Sequence, residues 1–402
     1  MSPKCITPRG AWEWYHVRCS KDYQRMIIDS HAYCFEPADS PRGYASGEEH
    51  LRWVQKAQAG HHQPAFRLSD RVEGPSDVLD PNKADLDDLP DVNFRIDRAA
   101  GRVLWDYEGE TYTKHFYPPN LRNLEFTPDS MIGEMDYAGI DKVLLHTNAM
   151  LGRSNEYQAE CIQKYPDRIL SMALLDERQI HADVDGVIEG VTTAIQELGL
   201  HAIKFGSAGY TVSDEPWDGG PYAKFWEAVS TLGVPVFFTL STGPARASEA
   251  RPDAYGRENY IGELRILSRL MERYPDMLCS ITHGFPWRVY LDGDRIKLPE
   301  EIWEPFENLN LSLEVCFPVR IGDIFDYPYR EVWPTMEAMV ERIGPRQLMY
   351  GTDMPFQNRF CTYRQSQDWL ERHFAPSVGL SDDDLALIMG GTAARVLGVD
   401  GG

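Results

Sequence analysis

The chain has 402 residues, of which 43% are hydrophobic and 25% charged, a composition typical of a folded globular protein. Its 40 Lys and Arg residues face 62 Asp and Glu residues, and the formal net charge of −22 argues against nucleic acid as a partner, because phosphate contacts need clustered cations. No apolar run approaches the ~20 residues of a membrane span, and no apolar signal segment is present near the N-terminus, so we expect a cytoplasmic protein without membrane contact.

The pattern of the N-terminal residues predicts a leader segment followed by one β-strand. Residues 1–25 are expected to pack onto the main domain as the leader. The apolar stretch Met26–Cys34 follows as the strand and carries Asp29, His31 and Tyr33 at every second position. Alternate residues share one face of a strand, so these three side chains are expected to point together. Such groups are typical of the mouth of an α/β barrel, although a buried strand whose Asp and His bond to backbone fits the same pattern.

Residues 36–125 form a long, proline-rich insertion after this strand. Within the insertion, Phe94–Tyr107 predicts a hairpin that turns at Ala100-Gly101. Loops of such length are usually lids or contact surfaces, so we expect a lid or an oligomer contact here. The insertion also contains large aromatic residues that a monomer is not expected to bury fully, namely Trp53, Phe66 and Trp105. They favour a homo-oligomer, or a hetero-oligomer with a related subunit.

After residue 126 apolar strands and helices alternate. Strands are predicted at 141–146, 169–175, 201–205, 234–240, 277–283, 309–316 and 347–353. Helices are predicted from Thr127 to Gly139 and over 153–165, 182–198, 222–232, 258–273, 331–343, 363–373 and 381–397. Alternation of this kind implies a parallel sheet, and eight repeats favour an α/β fold closed as a (β/α)8 TIM-type barrel over residues 26–398. No Gly-rich dinucleotide motif or P-loop comes after a strand, which removes the usual reason to prefer an open sheet.

Polar side chains occur where these predicted strands end. They are His31 and Tyr33 on the first strand, His146, Lys204, Thr239, His283, Glu314 with Cys316, and Asp353 on the later ones. A barrel brings the carboxyl ends of its strands to one mouth, so these groups are expected to meet there. Imidazoles and carboxylates together are ligands for Zn, Mn or Fe.

Four motifs carry a resemblance to a known family: Ile28-Asp-Ser-His31, Ile281-Thr-His-Gly284, Tyr350-Gly-Thr-Asp-Met-Pro355 and Gly391-Thr-Ala-Ala-Arg-Val-Leu397. In this order they resemble the amidohydrolase-related family, in its branch of aminocarboxymuconate-semialdehyde decarboxylase-like enzymes. The resemblance covers residues 26–34 and about 127–398 and leaves the insertion outside. It implies a metal-dependent hydrolase, decarboxylase or hydratase built on a barrel.

The resemblance implies roles for individual residues, with two departures. His31 matches the first ligand of the family's His-x-His pair, but Tyr33 stands where the second histidine is usual. Thr239 likewise stands where the family commonly has a ligand histidine closing the fifth strand. His283 matches the histidine that activates water or protonates substrate, and Asp353 matches a ligand or general base. Lys204 also matches a lysine often seen in this branch, so it joins His283 and Asp353 as a candidate catalytic residue.

Three accounts of these departures stay open. One metal could be held by His31 and Asp353, with Tyr33, Glu314 or His283 completing the site. Alternatively, phenolate and carboxylate ligands could serve two metals, Fe/Fe or Mn/Fe, in a subunit of a non-haem oxygenase that hydroxylates a small molecule. A third account is a partly degenerate subunit that supports an active paralogue.

Several residues keep more than one interpretation. Lys204 is a structural cation, an anchor for a substrate carboxylate, or a carbamylated ligand, and His146 is a metal ligand or a satisfied core histidine. Thr239 and Trp287 are candidates for substrate contact, and Arg288 is either a carboxylate clamp or part of a surface salt bridge. The His61-His62 pair is expected at the surface, and a buried Glu314 would need a metal or a cation as partner.

These observations predict a metal-dependent enzyme that acts on a small polar, carboxylate-bearing substrate by hydrolysis or decarboxylation. A divalent metal, with Zn preferred and Fe or Mn as alternatives, would lie at His31 and Asp353, and His283 would move the proton.

Overall fold

A computed structural model describes residues 25–82, 86–119, 121–207, 216–242 and 256–399. The expected leader over residues 1–25 therefore lies outside the described residues, apart from Arg25. Within the described part, no helix combines the length and the apolar character that crossing a membrane requires.

Eight parallel strands form the centre of the fold. They are β1 Ile28–Ala32, β2 Lys142–Leu145, β3 Ile169–Leu174, β4 Ala202–Gly206, β5 Val236–Thr239, β6 Cys279–Ile281, β7 Leu311–Val315 and β8 Leu348–Tyr350, paired in this order. Their residues are nearly all buried, as expected for parallel strands covered on both faces. The backbone N–H of Asp353 donates to the His31 carbonyl and that of Tyr33 to the Met354 carbonyl, both at 2.7 Å, which brings β8 against β1. The (β/α)8 barrel predicted from the sequence is confirmed.

Helices connect the strands on the outside of the barrel. They are Pro128–Ala138, Asn155–Lys164, Val184–Gln196, Tyr222–Val229, Arg257–Arg273, Phe317–Ile321, Trp333–Arg342, Tyr363–Asp368, Ala375–Val378, Asp382–Ala386 and Thr392–Leu397. The helix Pro128–Ala138 begins and ends at the residues that the sequence indicated, since the hydroxyl of Thr127 accepts from the N–H of Ser130 and Gly139 ends the helix at a φ of 81°. Between β6 and β7 the chain instead forms 3-10 turns at Trp287–Tyr290, Glu300–Ile302 and Glu304–Glu307.

The insertion has a structure of its own. It contains the helix Gly47–Gly60 and a five-stranded antiparallel sheet in the order Glu73–Gly74, Ala65–Arg67, Glu110–Lys114, Arg102–Tyr107 and Arg95–Asp97. The last two strands are the predicted hairpin, with Gly101 at a φ of 63°. The ammonium of buried Lys114 donates to the carbonyls of Gln58 and His61, at 2.6 and 2.5 Å, and so ties the end of the helix to the sheet.

The tryptophans of the insertion are buried within one chain. Trp105 is fully buried and Trp53 is 8% exposed, because the helix and sheet pack over them. The expectation that a monomer leaves these aromatic side chains partly uncovered is wrong for the two tryptophans, whereas Phe66 is only partly buried. The tryptophans therefore no longer support an oligomer. An oligomer stays a prediction without this argument.

The last turns of the chain hold β1 in place through a close backbone approach. A Cβ added at Gly390 would lie 2.1 Å from the carbonyl oxygen of Met26, two residues before the strand that carries His31. Substitution Gly390→Ala is expected to lower the free energy of unfolding by roughly 1–3 kcal/mol, since the backbone must move apart. Urea unfolding followed by circular dichroism would measure the change.

The matched control is Gly133→Ala in the helix Pro128–Ala138, where an added Cβ meets nothing within 4 Å. It should leave stability unchanged or raise it by about 0.5–1 kcal/mol, since alanine loses less backbone entropy on folding. Equal stability of the two variants would contradict the proposed close approach.

Candidate metal centre

A cavity of about 290 Å³ lies at the carboxyl ends of the barrel strands. Of the candidate site residues, those that line this cavity are Tyr33, Lys204, Thr239, His283 and Asp353. His31, His146 and Glu314 lie behind them and are fully buried. The strand ends therefore bring the predicted groups together in two layers, one that faces the cavity and one beneath it.

The imidazole of His31 is held on both sides. Its Nδ1 lies 2.5 Å from Oε2 of Glu314, and its Nε2 lies 2.9 Å from the hydroxyl of Tyr33 and 3.2 Å from Oδ1 of Asp353. Burial, followed by the charges of His283 and Lys204, holds the pKa of His31 well below its ordinary value, so the ring is neutral. A neutral imidazole has one donor and one acceptor nitrogen. With Nδ1–H donating to Glu314, the lone pair of Nε2 faces Tyr33 and Asp353.

This arrangement leaves two acceptors facing each other. In the tautomer with the proton on Nδ1, Nε2 of His31 is an acceptor like Oδ1 of Asp353, and the single proton of the Tyr33 hydroxyl can serve only one of the two. Nε2 of His283 lies 3.6 Å from the same oxygen of Asp353. A cation between these atoms would resolve the conflict.

The donor set fits a divalent metal. Ligand atoms of His31, His283 and Asp353 lie within 4.8 Å of one another, as do those of His31, His146 and Glu314. Ligands about 2.1 Å from a tetrahedral zinc lie roughly 3.3 Å apart, close to the 3.2 and 3.6 Å observed around Asp353. The carboxylate of Glu314 on the other nitrogen of His31 supplies the outer contact that usually orients a ligand histidine.

His146 is engaged by the protein itself. Its Nε2 lies 2.9 Å from the carbonyl oxygen of Ser30, which can only accept, so Nε2 carries the proton. Its Nδ1 accepts from the ammonium of Lys204 at 3.1 Å. Both nitrogens are therefore occupied, which favours the interpretation of His146 as a satisfied core histidine.

Burial sets the ionisation of the neighbouring groups. It raises the pKa of Glu314 and of Tyr33 well above their ordinary values, and for Tyr33 the negative charge of Asp353 adds to the effect. It lowers the pKa of Lys204 to about 8, against the opposing charge of Glu314, and that of His283 to about 4. His283 therefore does not titrate near neutrality, in contrast to the expectation from an ordinary imidazole.

The backbone is constrained at both strand-end residues that face the cavity. His283 and Asp353 have φ values of 64° and 65°, a region that costs a non-glycine residue of the order of 1–3 kcal/mol. Hydrogen bonds hold them there, from the N–H of His283 to Glu314 and from the N–H of Asp353 to the His31 carbonyl. In this conformation both side chains lie against the imidazole of His31.

Three predicted residues are placed differently from the expectation. Asp29 does not join His31 and Tyr33 at the cavity, because its carboxylate accepts hydrogen bonds from Thr352 and Tyr363. The other two, Trp287 and Arg288, also lie outside the cavity lining. The indole of Trp287 is buried against Phe317, with ring centroids 4.3 Å apart, and Arg288 forms an ion pair with Asp323. Arg288 therefore matches the alternative interpretation, a salt bridge.

Several residues that line the cavity were not predicted as site residues. They are His61, His62 and Phe116 from the insertion, and Arg153, Glu177, Arg320 and Arg359 from the loops of the barrel. The His61-His62 pair was expected at the surface, and His62 is indeed exposed, but the two rings, which stack at 4.4 Å, also close one side of the cavity. The available sequence signal was the position of the barrel residues shortly after strands, which is weaker than a motif.

A family model described as amidohydrolase matches residues 115–399, well over half of the chain. The chain therefore belongs to the amidohydrolase family, as the motifs indicated. The match begins after β1, so the segment with His31 and Tyr33 lies outside it. Among curated proteins, none matches the chain by sequence.

Solved structures show the same fold. A probable 2-pyrone-4,6-dicarboxylic acid hydrolase from Acinetobacter baumannii, with citric acid bound, has a TM-score of 0.53 at 14% identity and covers 92% of this chain and 99% of its own. A structure from Pseudomonas putida, named provisionally as the same hydrolase, has a TM-score of 0.52 at 14% identity over 94% and 98%. A dihydroxybenzoic acid decarboxylase from Polaromonas, with manganese and an inhibitor bound, has a TM-score of 0.47 at 20% identity over 67% and 85%. At these identities the two structures with TM-scores above 0.5 establish the fold and leave the substrate open.

Glu177 provides a pH-dependent test of the cavity wall. Burial raises its pKa from 4.5 to about 7, although the N–H of Gly206 donates to it at 2.6 Å. The folded state then holds a proton that the unfolded state has lost, so stability falls as the pH rises from the ordinary pKa to about 7 and is constant above it. Between about pH 5 and about pH 7, the free energy of unfolding of the Glu177→Gln variant should fall by roughly 2–3 kcal/mol less than that of the wild type.

Unfolding in urea at several pH values would measure the effect. Glu227→Gln, an exposed carboxyl on the helix Tyr222–Val229, is the control and should keep the slope of the wild type. The same slope in the Glu177→Gln variant would show that this carboxyl is ionised in the folded protein.

Proposed function

We propose that the chain is a metal-dependent hydrolase or decarboxylase that acts on a small substrate bearing a carboxylate. The observation that carries the proposal is the convergence of His31, His283 and Asp353, whose ligand atoms lie within 4.8 Å of one another beside the cavity. Membership of the amidohydrolase family and the unresolved acceptor pair at Asp353 support a metal at this point.

The residues around that point have separate tasks. When bound, a divalent metal would lower the pKa of a water molecule and polarise a substrate oxygen. Glu314 orients His31 from behind, and His283 offers a neutral imidazole that can take up or hand on a proton. Tyr33, which keeps its proton, can donate a hydrogen bond toward Asp353 or a substrate oxygen. Lys204 lines the same wall as a cation that a substrate carboxylate can approach.

The insertion completes the cavity as a lid in this proposal. His61, His62 and Phe116 line it on the side away from the barrel strands, and Nε2 of His62 lies 3.7 Å from a carboxylate oxygen of Asp323. A cover of this kind excludes water and strengthens the charges inside.

The arrangement of these side chains fits one metal ion better than two. The second ligand group shares His31 with the first, and the nitrogens of its His146 are occupied by Ser30 and Lys204. This favours hydrolysis or decarboxylation over the dinuclear oxygenase, which requires a separate second site. The retained trio of His31, His283 and Asp353 favours an active enzyme over a supporting subunit.

Metal analysis tests the proposal directly. The purified protein should hold about one divalent metal per chain, while His31→Ala and Asp353→Asn should each lower metal content and catalytic rate at least tenfold, since metal ligands and their partners typically contribute that much or more. His373→Ala serves as a control, because His373 contacts Tyr327 outside the cavity. Release of carbon dioxide, or of a new carboxylate by hydrolysis, distinguishes the two reactions over a panel of small carboxylic acids.

Two results would contradict the proposal. If the folded protein binds no divalent metal even when metal is added, the proposed hydrolase or decarboxylase function is wrong. Two iron or manganese ions per chain, with substrate-dependent oxygen uptake, would instead establish the oxygenase.

A further inference from the structure

Arg359 is a partly buried cation whose Nη1 is an unmet hydrogen-bond donor. It ends the 3-10 turn Phe356–Arg359 that comes after β8, and its side chain lines the cavity. Its Nε donates to the carbonyl of Phe356 at 2.9 Å, while its Nη1 is buried and has no hydrogen-bond partner among the described residues. A buried donor without an acceptor is rare in folded proteins, and for a charged group it is costly. The cavity beside it is where an acceptor can enter.

The aromatic side chains around Arg359 hold the guanidinium in place. Its central carbon lies 5.4 Å from the ring centre of Phe116 and 5.0 Å from that of Phe360. Such cation–π contacts position a guanidinium without consuming its N–H groups. Since Phe116 belongs to the insertion, the lid also positions this cation.

The nearby carboxylates do not satisfy Arg359. Asp323 is paired with Arg288, and Asp353 faces His31 and His283. Burial lowers the pKa of Arg359 to about 10, so the group is still protonated near neutral pH. A positive charge therefore remains at the cavity wall.

Arg320 adds a second cation to this wall. It lies on the short helix Phe317–Ile321 after β7 and lines the same cavity. Its side chain forms no ion pair or hydrogen bond within the described part of the chain.

We propose that Arg359, assisted by Arg320, is the subsite that binds the carboxylate of the substrate, in the role that the sequence had suggested for Arg288. The inference rests on the proposed function and specifies its substrate contact. A carboxylate matches the planar fork of a guanidinium and forms charge-assisted hydrogen bonds with it. A guanidinium also binds phosphate through two N–H groups, so inorganic phosphate is the competing ligand in the test.

Calorimetric titration of the 402-residue protein with benzoate and with benzamide tests the subsite. The two ligands differ in charge but hardly in shape. Benzoate should bind the wild type, and Arg359→Met should weaken it about tenfold or more, since a charge-assisted hydrogen bond is lost. Arg359→Lys should weaken it less, and benzamide should be little affected by either change. Arg342→Met is the matched control, because Arg342 pairs with Glu300 away from the cavity and should leave benzoate binding unchanged.

Each titration is made with metal-loaded and with chelator-treated protein, after a thermal melt has shown that each variant is folded. If Arg359→Met cannot be purified folded, Phe116→Leu, which frees the guanidinium, should weaken benzoate several-fold. If benzoate binding depends on Arg359 but the protein binds no metal, the subsite is supported and the proposed function is wrong. Equal benzoate affinity in wild type and Arg359→Met, no saturable benzoate binding, or tighter binding of inorganic phosphate than of benzoate would overturn the subsite and leave the metal centre untouched.

Discussion

The contact between Nδ1 of His31 and the carboxylate of Glu314 connects the core of this barrel to its chemistry. Both side chains are fully buried, at the ends of β1 and β7. The same carboxylate oxygen accepts the N–H of His283 after β6, and the His31 carbonyl accepts the N–H of Asp353 after β8. Four strand ends are therefore aligned by one histidine and one glutamate. A buried carboxylate without such partners would cost several kcal/mol, so stability of the fold and geometry of the centre depend on the same contacts.

The charges of the protein act on two length scales. The chain as a whole carries a net charge of −22, yet Arg153, Lys204, Arg320 and Arg359 all line one cavity. At physiological ionic strength exposed charges are screened beyond about 8 Å, so distant surface carboxylates contribute little inside. Local cations in a site of low dielectric decide which substrates can enter. An acidic protein can in this way recognise an anion.

Membership of the amidohydrolase family limits the possible reactions but does not identify one. The amidohydrolase match covers the later strands, while the two departures from the usual ligands, Tyr33 and Thr239, both line the cavity. Tyr33 contacts His31, and the hydroxyl of Thr239 lies 2.9 Å from that of Thr282. Hydroxyl groups thus occupy the two places where the resemblance implied ligand histidines. One fold can carry different reactions, and here the local donors determine which are available.

The sequence by itself determined the barrel and the meeting of His31, His283 and Asp353, because apolar runs and helix caps mark the strands and parallel strands end at a common rim. Only the tertiary structure decided where the loop side chains beyond the strand ends lie. Arg288 turns to Asp323, while Arg359 is directed to the cavity by Phe356 and the rings beside it. The fold of the insertion over the cavity likewise depends on distant contacts such as those of Lys114. The positions of loop side chains depend on contacts with residues far away in sequence. The local periodicity of the sequence does not reveal those contacts.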